Sequence, residues 1–262
     1  MRKLILGVLT LLLATATYAA ELSETIDKTF DVRPGASVTL TNVNGGITVS
    51  AWDQPRVRVI ARKSVDGDRD ELKEALRELR VDMQARDGGV VVMTHYPKNG
   101  GGGSFFDWLL SAGNHIDAEV RYELTVPRSM SLDIENVNGS IRINNITGKH
   151  ELDTTNGRIE VTRCAGSVDA SSTNGAIHAE LTNVTKGQGL RFSTTNGRIE
   201  VSLPSNMAVD VDAGTTNGAI KSDLPVAATR IGENSLRGTI NGGGTPLRIR
   251  TTNGGIAIKT LK

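Results

Sequence analysis

The sequence predicts an all-β protein: a β-solenoid, or β-helix-like stack, of 18–22-residue repeats carrying a small helix-plus-hairpin insertion. Three observations predict it. First, Asn-Gly pairs recur, and seven of them, beginning at Asn44, Asn138, Asn156, Asn174, Asn196, Asn217 and Asn253, share one frame. From Asn138 to Asn217 the steps are 18, 18, 22 and 21 residues, and the next step is 36, twice 18. Second, isoleucine stands three residues after every one of these asparagines: Ile47, Ile141, Ile159, Ile177, Ile199, Ile220 and Ile256. Third, both flanks of each Asn-Gly alternate apolar and polar, the period of a half-buried strand. Recurrence of one residue type at one offset is what stacked coils produce, with isoleucine on isoleucine inside and asparagine on asparagine at the turn. Asn-Gly is also the strongest hairpin signal, so a β-sandwich or prism of the same strands is the alternative. Asn-Gly tolerates the positive φ angles of a tight turn.

The elements follow in chain order. Arg2 and Lys3 precede the apolar run Leu4–Leu13, and small residues end at Ala19, the pattern of a signal peptide over residues 1–19. The run is shorter than the ~20 residues a membrane span needs, and no later segment is long and apolar enough. The expectation is an exported protein, periplasmic or associated with the cell envelope, and not an integral membrane protein. Residues 20–63 form a first repeat region, 64–116 an insertion and 117–262 the β-repeat domain. Within the insertion, Asp68 to Arg80 reads as a helix with Leu72, Leu76 and Leu79 on one face, with Asp68 as N-cap and Glu71 as capping-box partner. Val81–Gln84 and Val90–Thr94 flank a turn at Asp87, Gly88 and Gly89, a hairpin. Solenoids need atypical ends to shield core and strand edges, so helix and hairpin are expected to cap the stack. Four glycines at 100–103 then lead into Phe105, Phe106, Trp108, Leu109 and Leu110. That stretch is either a cap folded onto the stack or a partner-binding plug in which Phe105, Phe106 and Trp108 meet a protein, lipid or glycan.

Several classes are excluded. With 30 Lys+Arg against 29 Asp+Glu, the chain lacks the basic excess that nucleic acid demands. Its single Cys rules out a disulfide framework and a multi-cysteine metal cage. No nucleophile elbow or phosphate loop occurs, and Cys164, in a predicted corner, has no histidine partner.

The segments "NVNGGITVSAWDQPRVRV", "NVNGSIRI", "TTNGRIEV" (twice) and "RGTINGGGTPLRIRTTNGGIAI" resemble a bacterial β-strand-repeat, putative-adhesin family of unknown function found in exported proteins. The resemblance spans about Asp31 to Lys259. It implies an all-β, solenoid-like envelope domain and supplies no catalytic residues.

In-register stacking also predicts where charge lies. Asp133, Glu151 and Asp169 form one outward row beside Glu135 and Asp153. Like charges ~4.8 Å apart repel. The row is either a solvated acidic face trimmed by Lys149 and Arg191, or a weak cation site of Asp133, Glu135, Glu151, Asp153 and Asp169 suited to Ca²⁺. A second outward row, Arg142, Glu160, His178, Glu200 and Lys221, mixes signs and reads as mutual compensation. His150 interrupts an apolar column and is expected at a coil corner with a backbone partner. No other cofactor is indicated. The functional reading is a non-enzymatic envelope or adhesin-like binding module for an envelope protein, glycan or surface. The alternatives are a polysaccharide lyase using the acidic row for Ca²⁺ and Arg191 as base, and an envelope-stress or assembly factor.

Overall fold

In the computed structural model, residues 20–67, 69–96, 117–184 and 188–261 are described. The expected signal peptide, residues 1–19, and the expected N-cap, Asp68, lie outside them. The strands form two ladders. The first, upstream of the turns, runs in space as β6 (Gly89–His95), β2 (Ser37–Thr41), β8 (Ser131–Asn138), β10 (Thr147–Asn156), the second half of β11 (Ile159–Asn174), β13 (Leu190–Asn196), β19 (Thr245–Asn253) and β15 (Val209–Asn217), all parallel. The downstream ladder runs as β7 (Asp117–Pro127), β3 (Ile47–Trp52), β9 (Ile141–Asn144), the first half of β11, β12 (Ile177–Asn183), β14 (Ile199–Leu203), β20 (Ile256–Thr260) and β16 (Ile220–Ser222), again all parallel. Strand β11 belongs to both, bending near Arg163 and Gly166, whose φ angles are 53° and 105°. This in-register parallel stacking is the solenoid-like arrangement and excludes a sandwich of hairpins.

The seven isoleucines stack as a continuous column. All are buried except Ile220, half-exposed on terminal strand β16. Together with Leu40, Ile134, Leu152, Phe192 and Ile249 from the facing ladder they make one core. Each such buried side chain is worth about 2 kcal/mol of transfer free energy.

The asparagines form the expected ladder, and it has a direction. Each Nδ2 donates to the next Oδ1 at 2.7–2.8 Å, from Asn217 through Asn253, Asn196, Asn174, Asn156 and Asn138 to Asn44, whose Nδ2 ends on the Ala118 carbonyl. Aligned amides polarise one another, so the chain is stronger than isolated pairs. A second ladder lies beside it. Thr154, Ser172, Thr194, Thr251 and Thr215 donate their hydroxyls to the turn-glycine carbonyl of the adjacent coil at 2.9–3.2 Å. These hydroxyls are buried, so the bonds satisfy carbonyls that burial would otherwise orphan.

Tolerance of positive φ is used at some of the turn glycines and not at others. Only Gly45, Gly139 and Gly254 among the seven have positive φ. What the position requires is space: a Cβ on Gly157, Gly175, Gly197 or Gly218 would lie 1.8–2.0 Å or so from the glycine carbonyl oxygen of the neighbouring coil.

The order of the coils also departs from the sequence. The 36-residue step is not two coils laid down in succession. After β14 the chain skips a level and makes β15 and β16. It then forms the antiparallel hairpin β17 (Ala227–Gly232) and β18 (Ser235–Ile240), and returns as β19 and β20 to fill the level it left open. The turn of Asn253 therefore sits between those of Asn196 and Asn217. Strand β18 pairs with β15 and shields its outer edge.

The other end is built by the insertion together with strands on either side of it. Strand β5 (Arg80–Arg86) forms the expected hairpin with β6, turning at Asp87 and Gly88, and β6 extends the upstream ladder. Strand β4 (Arg56–Gly67) pairs antiparallel with β7, and β1 (Ala20–Asp31) with β4. Helix α1 (Arg69–Glu78) packs on β1 and β4 and buries Leu72, and Leu79, the residue just past its end, is buried as well. Lys63 is buried beneath the helix, donating to the Leu76 carbonyl at 3.3 Å and pairing with Glu24 at 2.5 Å.

Candidate functional site

The outward rows are as regular as the core. Glu151 lies opposite Asp133 on one side and Asp169 on the other, and Asp153 lies between Glu135 and Ser171. Burial raises the Asp153 carboxyl above the usual carboxylate range, helped by Asp169, Glu135 and Asp133 and opposed by a hydrogen bond from Ser171. Burial likewise raises Asp169, against the pull of Arg191 at 3.7 Å. Lys149 pairs with Glu151 at 2.5 Å. Among the described residues no group of three His, Cys, Asp or Glu side chains is placed to hold a metal ion. Phe105, Phe106, Trp108 and His115 lie outside the described residues.

The rearranged coil order changes both rows. On the upstream ladder Arg248 stands between Arg191 and Asp212. On the downstream ladder Ala257 stands between Glu200 and Lys221, and Lys259 from the same inserted coil pairs with Glu200 at 2.8 Å. Arg142 pairs with Glu160 at 2.8 Å, and His178 lies 3.5 Å from Glu200, so this row is the compensated face that its mixed signs suggested.

A concave site lies where the first turns meet the antiparallel sheet, a cleft of roughly 910 Å³. Its floor is the edge of the asparagine ladder, Asn44 to Gly46 and Asn138 to Ser140; its walls carry Arg62, Ser64, Glu119 and Glu123 from β4 and β7. Arg62 binds Glu123 at 2.7 Å and Arg121 binds Glu119 at 2.5 Å, while Glu21, Asp66 and Asp117 at the same cleft make no ion pair among the described residues, so the cleft is net acidic. Behind the floor a buried polar network fixes the turn. Thr94 Oγ1 donates to Asn42 Oδ1 at 2.9 Å and lies 2.6 Å from the Tyr122 hydroxyl. Tyr96 donates to Asn42 Oδ1 at 3.0 Å and accepts from the Asn44 amide at 2.8 Å. Burial pushes both tyrosine hydroxyls well above their ordinary pKa, so they remain protonated donors. The wall residues lie outside the repeats. The signal for them was the strict alternation Ala118, Val120, Tyr122, Leu124, Val126, which marks β7.

The Toastrack DUF4097 family matches residues 123–259, more than half of the sequence. The chain belongs to the Toastrack DUF4097 family. No curated protein matches it. Among solved structures, a putative cell adhesion protein from Clostridium sporogenes is 12% identical, with 92% of this chain and 100% of that chain covered and a TM-score of 0.43. A putative adhesin from Bacteroides fragilis is also 12% identical, over 91% and 97% of the two chains, with a TM-score of 0.29. A putative lipid binding protein from Parabacteroides distasonis is 10% identical, over 92% and 97%, with a TM-score of 0.26.

Two buried residues of this Toastrack member attract chemical attention and carry none. Cys164 is fully buried at the bend of β11, with its Sγ 3.5 Å from the Thr162 carbonyl. Burial pushes its thiol up to about 11, so the nucleophilic thiolate is scarce at neutral pH. A thiol reagent such as DTNB at pH 8 is expected to leave Cys164 unmodified in the folded protein and to react with one equivalent after unfolding in guanidinium. Stoichiometric labelling of the folded chain would overturn this assignment. His150 is fully buried too, and it lies within the apolar column between Leu132 and Val168, not at a corner. Among the described residues neither ring nitrogen has a hydrogen-bond partner of ordinary geometry. The Ile146 backbone only softens the burial that drives the imidazole down to about 4.

Proposed function

We propose that the chain is a non-catalytic binding module of the bacterial cell envelope whose cleft between the first turns and the β4–β7 sheet takes a neutral, hydroxyl-rich glycan. The observation that carries this reading is the character of that cleft: a wide polar surface with a backbone floor, two wall pairs at 2.5–2.7 Å, and the carboxylates Glu21, Asp66 and Asp117 left without an ion pair among the described residues, which disfavour an acidic ligand. A few fixed polar groups give orientation to a ligand rich in donors and acceptors, and the unpaired wall carboxylates repel an acidic polysaccharide while leaving a neutral one unaffected. The leader-like sequence at residues 1–19 supports export. The contrasting reading, a polysaccharide lyase, makes Arg191 the base, and Arg191 lies on the other ladder, 3.7 Å from Asp169.

The test is a binding screen of the purified chain against neutral and acidic envelope polysaccharides, with Ser64→Trp as the cleft-filling variant. Ser64 is half-exposed in the cleft wall, so the substitution leaves the core intact. Binding to a neutral glycan that falls at least about tenfold, or 1.4 kcal/mol, in Ser64→Trp supports the proposal. No binding across the neutral panel, equal binding by the variant, or an unsaturated product from acidic polysaccharide with Ca²⁺ overturns it.

A further inference from the structure

The outer face of the upstream ladder is sorted by charge along the stacking direction. In spatial order its principal row reads Asp133, Glu151, Asp169, Arg191, Arg248, Asp212. The adjacent row reads Glu135, Asp153, Ser171, Ser193, Arg250, Gly214. Both rows change from acidic to basic at the same height, between β11 and β13. Sequence order would have alternated Arg191, Asp212, Arg248; insertion of the last coil brings the two arginines together. One ion pair, Asp169 with Arg191 at 3.7 Å, bridges the boundary. The outlying Asp212 is held by Arg250 at 2.7 Å and Arg237 at 3.0 Å, which outweigh its burial and lower its pKa. Asp133, Glu135, Asp153 and Arg248 make no ion pair among the described residues.

We infer that this face pairs with the same face of a second copy of the chain, about a two-fold axis parallel to the strands and level with the β11–β13 boundary. Such a rotation keeps strand direction and reverses stacking order. It sets Asp169 against Arg191 of the second copy, Glu151 against Arg248 and Asp153 against Arg250, each contact occurring twice. Asp133 meets Asp212, whose charge Arg237 offsets at 3.0 Å, and Arg250 is shared between its own Asp212 and Asp153 of the second copy. The self-complementary contact required of an isologous dimer is thus present in both rows in one register. The alternative rotation, about the stacking direction, lays acid on acid and is repelled.

The patch is six strands high at about 4.8 Å each and about five residues wide at about 3.3 Å, or roughly 29 by 17 Å. Two such patches bury on the order of 1,000 Å², the lower bound for a specific interface. The pairing is therefore reversible and strongly salt-dependent. This inference does not rest on the cleft, which lies on a different surface.

Sedimentation equilibrium of the purified chain up to about 200 µM tests it. The expected result is a dimer at about 20 mM NaCl whose Kd rises at least tenfold at about 300 mM, well beyond a Debye length's worth of screening. Glu151→Arg alone and Arg248→Glu alone are each expected to raise Kd at least tenfold, because each sets like charges together twice. An equimolar mixture of the two variants is expected to recover association, since in the mixed dimer both contacts regain opposite signs. Both variants are at exposed or half-exposed positions, and each is to be compared with the wild type in melting temperature. A monomer at low salt, a dimer indifferent to either reversal, or a mixture that stays monomeric while both variants melt like the wild type overturns the inference.

Discussion

Gly175→Ala is expected to lower the melting temperature by roughly 6–12 °C, through a loss on the order of 3 kcal/mol. The added Cβ would lie 1.8 Å from the Gly157 carbonyl oxygen and 2.5 Å from its carbon, both backbone atoms of the neighbouring coil. Neither can swing aside as a side chain can. Relief demands that the coils separate at the turn. That breaks the Ser172 bond to the Gly157 carbonyl and the Asn174–Asn156 amide link together. The matched control is Gly189→Ala, where the nearest atom to an added Cβ is 3.5 Å away and φ is not left-handed. That substitution should be neutral or stabilise slightly by restricting the unfolded chain. Thermal melts of the pair, followed by circular dichroism, check the claim. Equal melting temperatures for Gly175→Ala and wild type would mean that the close approach of the turns is not what demands glycine.

The second large effect is acid sensitivity from His150. Its folded imidazole titrates at about 4, against an ordinary value near 6.5 in the unfolded chain. A base whose pKa is depressed by folding binds its proton first in the unfolded state. Stability is therefore full above pH ~6.5 and declines as pH falls from 6.5 towards 4, at up to about 1.4 kcal/mol per pH unit and about 3 kcal/mol in all. His150→Leu matches Leu132 beside it and Leu190 two levels along the column, removes two buried nitrogens without ordinary partners among the described residues, and should abolish this part of the pH dependence. It should also raise stability at pH 7, because an unsatisfied buried polar group costs about 1–3 kcal/mol. Denaturant titrations of both proteins at pH 7.5 and pH 4.5 measure the difference, in which all other titrating groups cancel. A gap between variant and wild type that does not widen on acidification rules the mechanism out.

The legible parts of this protein were those repeated in its sequence. Ile159, Ile177 and Ile199 fall on one another because strand alternation and turn position leave them one register. The helix and hairpin of the insertion were legible from local signals, the leucine spacing of α1 and the Asp87–Gly88 turn between β5 and β6. The role of the hydroxyls at Thr154, Ser172 and Thr194 was visible only as a composition, T-T-N-G or S-T-N-G. Their partners are carbonyls one coil away, so no local pattern names the bond. The cleft was not legible either. Arg62 and Glu123 are 61 residues apart, on strands with no repeat to align them, and they meet at 2.7 Å only because β4 folds back on β7.

By itself the sequence determined the coil: its two strands, its Asn-Gly turn, its buried isoleucine and which side chains face outward. Those follow from alternation and turn chemistry, which act over a few residues. Only the tertiary structure decided the order of the coils. Nearly identical coils offer nearly identical backbone edges, so the hydrogen bonds of β19 would form as well at the end of the stack as between β13 and β15. Loop closure costs little more for a long excursion than a short one. The hairpin of β17 and β18, by occupying the edge of β15, sends the final coil back to the open level. From that one choice come the adjacency of Arg191 and Arg248, the pairing of Lys259 with Glu200, and the charge-sorted face.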